Sequence, residues 1–335
     1  SEAEKWLQMA ATESDKLITS GRYEIYNTGH PQEDYFNMYR IDDKSDLKEA
    51  VLYVDYKTNI REHNMAAAGR EAGCGFSKSF VESFLCSDGL PISLSNKYLG
   101  DETMRKETAN RDPRLKQLIL TNDFPTNVTD DLKDSTFVVN EDEFITQHCF
   151  TGYRPIKGFN PIYSQALYMK SSFDGIAYRY AETLLINAEA KAELNTITNA
   201  DLDRTVNQLR DRVGMPHLTV NVGFTDPKWP DWGYSLSPVL QEIRRERCIE
   251  LAGEGFRFND LKRWKAGKLL NNVLTYVGKR KPDGNLAIVY PNYTNPDLSY
   301  QAGKSRTWED KMYLYPIPTG ELQRNPQLLP QNPGW

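Results

Sequence analysis

Histidine and cysteine are scarce in this chain, with four of each among 335 residues. His30, His63, His148 and His217 form no HExxH pattern. No CxxC is present, and no cysteine has a histidine at ligand spacing. No metal site is therefore expected. A GxSxG elbow is missing, which removes the serine-hydrolase reading. Gly303-Lys304-Ser305 lacks the leading glycine of a phosphate loop, because Leu298 stands there. Gly73-Cys74-Gly75 lacks the third glycine of a dinucleotide fingerprint. No cofactor is expected either. Asn140-Glu141-Asp142-Glu143 has no turn glycine and does not fit a calcium loop. Positive charge is not in excess: 41 Lys and Arg face 46 Asp and Glu, a net charge of -5. Phosphate binding needs a basic face, so nucleic acid is not expected as a partner. No apolar run approaches a membrane span. The start, Ser1-Glu2-Ala3-Glu4, has neither a basic n-region nor an apolar h-region. Any export signal or lipid-anchoring cysteine is expected upstream.

What is present suits a folded chain. Apolar residues make up 39% and charged residues 26%, enough to bury a sizeable core. Aromatics reach 11%, with 19 Tyr and 6 Trp. Such richness suits carbohydrate or peptide binding, although most aromatics in any protein serve core or rim. Cys74, Cys86, Cys149 and Cys248 read as buried free thiols. A Cys74–Cys86 disulfide stays open in an oxidising compartment.

Helical periodicity dominates. Ala3, Trp6, Leu7, Ala10, Leu17 and Ile18 share one face of a first helix, with Trp6 expected in the core. Pro113 opens another helix reaching Leu120. Ala177, Tyr180, Ala181, Leu184, Leu185, Ala188 and Ala192 mark the clearest stripe. After a near capping box at Thr198, a second stripe runs through Leu202, Val206, Leu209 and Val213, stopped by Gly214 and Pro216. Helices from Ser237 to about Ala252 and around Phe256, Leu261 and Trp264 follow. Strand signals are few; Ala50 to Tyr53 is a strand or a buried turn. Asp55 to Gly75, Thr121 to Ala166 and the tail after Thr275 read as long loops or irregular pieces. The fold class is mainly α, with paired helices, long loops and a few short strands. No 34-residue period is sustained.

Two carboxylates, Glu246 and Glu250, lie one helical turn apart, and Asp260 follows. A glycosidase needs such a pair. Here arginines interleave with them, which lowers a carboxylate's pKa where a general acid needs it raised. The pattern reads instead as a structural network of Arg179, Glu182, Glu246, Arg247, Glu250, Arg257 and Asp260. Arg179–Glu182, Arg247–Glu250 and Arg257–Asp260 share a three-residue spacing that suits pairing within or between helices. No catalytic residue is assigned.

Several segments, in order, resemble the SusD/RagB family. They are Ser87-Asp88-Gly89-Leu90-Pro91, then Asn110-Arg111-Asp112-Pro113-Arg114-Leu115, then the helix from Arg179 to Ala190. Asn207-Gln208-Leu209-Arg210-Asp211-Arg212-Val213-Gly214 comes next. Glu246-Arg247-Cys248-Ile249-Glu250-Leu251 and Gly255 to Trp264 follow, with Tyr315-Pro316-Ile317-Pro318 and Gln331 to Trp335 at the end. The resemblance spans roughly residues 3 to 335. It implies a TPR-like α-superhelix, a single domain over 1–335 that lacks its N-terminal part, and the C-terminal two-thirds of such a protein. It further implies a surface-exposed outer-membrane lipoprotein, anchored through a segment absent here. Such a protein binds oligosaccharides, or in some relatives peptides, and delivers them to a SusC-like TonB-dependent transporter without bond chemistry. A glycan hydrolase on a helical scaffold and a purely structural adaptor are the readings from other classes.

Two loops combine aromatics with the polar side chains that read sugar hydroxyls. One offers Trp229, Trp232 and Tyr234, with Pro230 between the indoles. The other offers Tyr56, Asn59, Arg61, His63 and Asn64. In the first, the competing reading has the indoles covering a hydrophobic edge between helices.

Overall fold

The structure is a computed structural model, and it describes residues 1–65, 75–124, 149–288 and 307–335, with the backbone of 127–128 and 134–135. Cys74, His148, the 140–143 acidic run and the 303–305 tripeptide lie outside these residues.

Helices carry the architecture. They are α1 (Glu2–Thr19), α2 (Asp34–Tyr39), α3 (Lys78–Ser83), α4 (Met104–Thr108), α5 (Arg114–Leu118), α6 (Tyr163–Ala166) and α7 (Tyr180–Glu193). After them come α8 (Asn199–Asp203), α9 (Val206–Arg212), α10 (Pro238–Glu250), α11 (Arg257–Arg263) and α12 (Thr319–Arg324). Short 3-10 helices at Gly267–Asn271, Val273–Thr275, Asp310–Tyr313 and Pro326–Leu328 and three two-stranded ribbons are described besides. β1 (Ala50–Val54) pairs antiparallel with β4 (Gly175–Arg179), β2 (Asn127–Val128) with β3 (Asp134–Ser135), and β5 (Val277–Arg280) with β6 (Leu286–Ile288).

Three sequence expectations are corrected. Ala177 is in β4, and the helix begins at Tyr180. The 202–213 stripe is two helices, broken at Thr205, whose backbone leaves the helical region (φ -128, ψ -94). Trp6 is 57% exposed, because α1 buries its small-residue face instead. Asn187 of α7 reaches across and donates its amide to the Ala11 carbonyl and the Ser14 hydroxyl, both at 3.0 Å. A close approach of this kind favours Ala and Ser over an indole.

Two cores meet along α10. Ile249 joins the cluster of Tyr35, Phe84, Leu115 and Tyr153, while Ile243 joins that of Leu184, Leu185, Leu209 and Leu240. The sequence of α10, PVLQEIRRERCIE, is strongly polar, yet Glu242, Arg244, Arg245, Glu246, Arg247 and Glu250 are all buried. Burial of so many charges requires partners for each, and these partners define the centre of the molecule. Cys86 and Cys149 are buried free thiols; Cys248 is free and half-buried.

The buried ion network and the candidate ligand surfaces

The β1–β4 register opposes Ala50 to Arg179, which brings the preceding residue, Glu49, beside that arginine. Arg179 then donates to Glu49 (2.9 Å), to Glu250 (2.6 Å) and to Glu254 (2.7 Å). Arg212, at the end of α9, donates to both Glu250 oxygens at 2.7 and 2.6 Å. Arg114, at the start of α5, reaches Asp112 (2.7 Å), Glu250 (3.0 Å) and Glu246. Arg210 closes on Glu246 at 3.1 Å and Lys157 on Glu254 at 2.6 Å. The cations Arg114, Lys157, Arg179, Arg210 and Arg212 thus face Glu49, Asp112, Glu246, Glu250 and Glu254, one for one. The balance keeps buried charge neutral where the dielectric screens little.

The arginines hold Glu250 well below the usual carboxylate range, against the burial that would raise it. Arg179 and Lys157 lower Glu254 to about 2 in the same way, again against burial. Burial lowers Lys157 to about 8, with Glu254 opposing. Glu250 is fully buried and fully engaged. It offers neither the proton nor the access that a glycosidase acid requires.

The network is not the one the sequence spacing drew. The Glu182 side chain makes no hydrogen bond or ion pair among the described residues, and Arg179 is the last residue of β4. Arg247 pairs with Asp260 (2.9 Å) rather than Glu250. Arg257 is exposed and lies over Trp264 at 5.9 Å, while Asp260 takes Arg247 and Arg263. Partners come from other elements because α10 is walled by neighbours on nearly every side. Glu49, Lys157 and Glu254 were missed. Arg114, Arg210 and Arg212 stood in the quoted motifs, where their role was legible only as packing.

The Trp229 loop folds onto α10. Its Asp226 carboxylate accepts from Arg245 (2.9 Å) and from the Ser93 hydroxyl (2.8 Å). The Arg245 guanidinium lies 4.7 Å from the Trp229 ring centre. Trp232 is only 6% exposed, edge-on to Trp264 at 5.7 Å and beneath Arg244 at 5.3 Å. The Tyr234 hydroxyl donates to the Trp264 carbonyl at 2.5 Å and accepts from Arg244 at 2.9 Å. The faces of Trp232 are spent within the protein, so it presents no stacking platform here. Trp229, half-buried, and Tyr234, exposed, remain at the surface.

The Tyr56 loop stands outward. A turn is closed by reciprocal Lys57–Arg61 backbone bonds at 2.8 and 2.9 Å, with Asn59 at φ +62. Arg61 lies over the Tyr56 ring at 4.9 Å. His63 is held on both sides: its Nε2–H donates to the Phe173 carbonyl at 2.8 Å, and its Nδ1 accepts the Met65 N–H at 3.0 Å. These bonds fix the neutral tautomer, and burial lowers its pKa. His63 therefore braces the loop. His63→Phe keeps the ring packing against Tyr56 and Phe173 but loses both bonds; an expected cost of about 1–3 kcal/mol is read from the urea midpoint. An unchanged midpoint would show that the bonds carry no weight. Tyr56, Asn59, Arg61 and Asn64 stay on or near the surface. Beside them, the segment 163–178 carries Tyr163, Tyr168 and Tyr178, all exposed. Sequence reasoning missed these three; the available signal was tyrosines recurring in a polar stretch without helical period.

A helical scaffold with its acids locked in internal ion pairs and its aromatics on outward loops defines a class, not yet a family. The model of the SusD family matches residues 20–335. The chain belongs to the SusD family. It is similar to a SusD-like protein P2 of Formosa agariphila, 33% identical over 166 residues, covering 50% of this chain and 27% of that one. Among solved structures it resembles a SusD-like protein from Bacteroides fragilis (TM-score 0.67, 25% identity, 99% of this chain, 62% of that one). A SusD-like carbohydrate binding protein from the same species matches in fold (TM-score 0.65, 23% identity, 97% of this chain, 62% of that one). The chain thus spans 27% of the curated relative's length and 62% of those structures. The mainly α, TPR-like class expected from the sequence is the fold found.

Proposed function

We propose that this chain, acting as a single domain over 1–335, is a surface glycan-binding component of a nutrient importer and performs no bond chemistry. The observation that carries the proposal is membership of the SusD family across residues 20–335. A fold neighbour described as carbohydrate binding supports it. The engagement of Glu246 and Glu250 in arginine pairs speaks against the hydrolase alternative. The protein is proposed to be lipid-anchored at the outer-membrane surface and to deliver its ligand to a SusC-like TonB-dependent transporter. Oligosaccharide is favoured over peptide, because the available surface side chains are tyrosine, asparagine and arginine.

Between the two candidate surfaces, the Tyr56–Asn64 loop is favoured. Its aromatic and polar groups are braced yet accessible, which limits the entropy lost on binding. Trp229 and Tyr234 form the secondary candidate, with Trp232 supporting them from below. The test is titration of the preferred glycan, found by screening, against Tyr56→Ala with Arg61→Ala and against Trp229→Ala. Loss of about tenfold or more in the first variant is expected, with Trp229→Ala near the unsubstituted affinity. The reverse ranking would move the site to the Trp229 loop.

A further inference from the structure

The turn at 57–61 sets two cations against each other. Lys57 and Arg61 are a directly opposed antiparallel pair, each donating its N–H to the other's carbonyl. Side chains of such a pair leave on the same side, and like charges placed there repel. Both residues are exposed, and neither side chain has an ion-pair partner among the described residues. The carboxylates nearby are engaged elsewhere. Glu62 takes Lys170 at 3.1 Å and the Asn59 N–H at 3.3 Å. Asp174 accepts the backbone N–H groups of Tyr56 at 2.8 Å and Lys44 at 2.9 Å. Asp55 is exposed and closes on neither cation. Two cations are thus held together without an anion, an arrangement that a bound anion would relieve.

The geometry of Arg61 suits that role. Its guanidinium lies over the Tyr56 ring at 4.9 Å, and the His63 ring meets the same ring edge-on at 4.5 Å. A guanidinium stacked on an aromatic keeps its in-plane N–H groups free, and that planar fork matches a carboxylate or a tetrahedral anion. The covered face of Tyr56 offers no platform to a sugar ring. What the turn presents is anion recognition, with the exposed Asn59 beside it to meet hydroxyls. The turn is also held in place from behind, where His63 and Ser171 exchange backbone bonds at 2.9 and 3.1 Å. A fixed fork loses little entropy when it closes on its ligand.

We infer that the 57–61 turn recognises an acidic sugar, an oligosaccharide whose uronate carboxylate or sulfate ester seats against Arg61 and Lys57. The inference rests on the glycan-binding reading proposed above and names its substrate class. The full-length protein is screened on an array of neutral, uronate-bearing and sulfated oligosaccharides. The tightest ligand is then titrated calorimetrically beside its carboxyl-reduced or desulfated counterpart, which tells a carboxylate from a sulfate. An acidic oligosaccharide is expected to bind tightest, with its neutralised counterpart about tenfold weaker or worse. Affinity is expected to fall as salt rises. Lys57→Gln with Arg61→Gln is expected to lose about tenfold or more, with a thermal melt unchanged or higher because the repulsion is gone. Arg61→Lys keeps the charge but not the fork, and is expected to lose about threefold while retaining the salt dependence. Lys5→Gln with Lys16→Gln, which removes two charges from exposed positions on α1, is expected at the unsubstituted affinity. Tightest binding to a neutral glycan would overturn the acidic-sugar assignment and leave the glycan reading standing. So would an acidic glycan bound equally well by the folded Lys57→Gln with Arg61→Gln form. No oligosaccharide bound by the unsubstituted protein would overturn both.

Discussion

Glu250→Gln is expected to lose about 3–5 kcal/mol of folding stability, the largest effect of any conservative substitution in the chain. The change keeps the size and shape of the side chain. It removes one negative charge from a site where Arg114, Arg179 and Arg212 all donate to that group. The glutamine amide has one oxygen to accept with, and its NH2 points donors at guanidinium groups that are themselves donors. Buried charges are left without compensation, and no water reaches them because all four residues are buried. A domain of ordinary stability holds about 5–15 kcal/mol, so the variant sits near its unfolding threshold at ambient temperature. Chemical denaturation followed by circular dichroism measures the loss. A cost under about 1 kcal/mol, the range of an exposed pair, would mean that the network is not the centre of the fold. Replacing Glu250 together with its arginines by apolar residues of similar volume is a different experiment, since full removal of a buried network can be neutral or stabilising.

Acid is expected to unfold the protein between roughly pH 4.5 and pH 2, the second large effect. Glu254 is held at about 2, below its usual 4.5, by Arg179 and Lys157 against burial, and Glu250 lies well below the usual range. Asp101 is lowered to about 2 by hydrogen bonds from Arg280 and Lys78, again against burial. A carboxylate whose folded pKa is depressed contributes stability that is complete above its unfolded pKa and vanishes as pH falls through the folded one. Glu254 alone contributes at most about 3 kcal/mol in this way. Burial raises Glu107, Glu182 and Glu242, and these oppose the trend because the folded state favours their protonated forms. The depressed groups win, since Glu250 is shifted far and anchors three arginines. On the alkaline side, burial lowers Lys157 to about 8. The folded state therefore releases that proton first, and its penalty eases as pH rises from about 8 toward the unfolded value. Melting temperature should be flat through neutrality and fall steeply below pH 4.5. A melt insensitive to pH down to 3 would contradict the pairing described.

The helices were legible because their stripes face two cores at helical spacing: Leu184, Leu185 and Ala188 on α7, and Val239, Leu240 and Ile243 on α10. The acids and arginines of α10 were legible as a network, but not their pairing. Arg179 and Glu49 are 130 residues apart in sequence and meet only through the β1–β4 register. Spacing of three along one helix says that two groups can touch; it does not say that a nearer partner arrives from elsewhere. Trp6 was misjudged for a related reason. Periodicity marks an apolar stripe, but α7 selected the Ala11–Ser14 face, which permits a closer approach. Of the aromatic loops, Trp232 met Trp264 through the fold of α11 against α10, which no local pattern announces. Tyr168 carried no period at all, and its exposure follows from bracing by residues about a hundred positions earlier.

The most direct test of the proposed function measures binding and turnover on the same glycan panel. The purified chain is titrated calorimetrically against oligosaccharides while release of reducing ends is followed over a long incubation. Saturable binding to at least one glycan, with no reducing ends released, is the expected result. Reducing-end release that disappears in Glu246→Gln, in protein shown to remain folded, would contradict it and return the chain to the hydrolases.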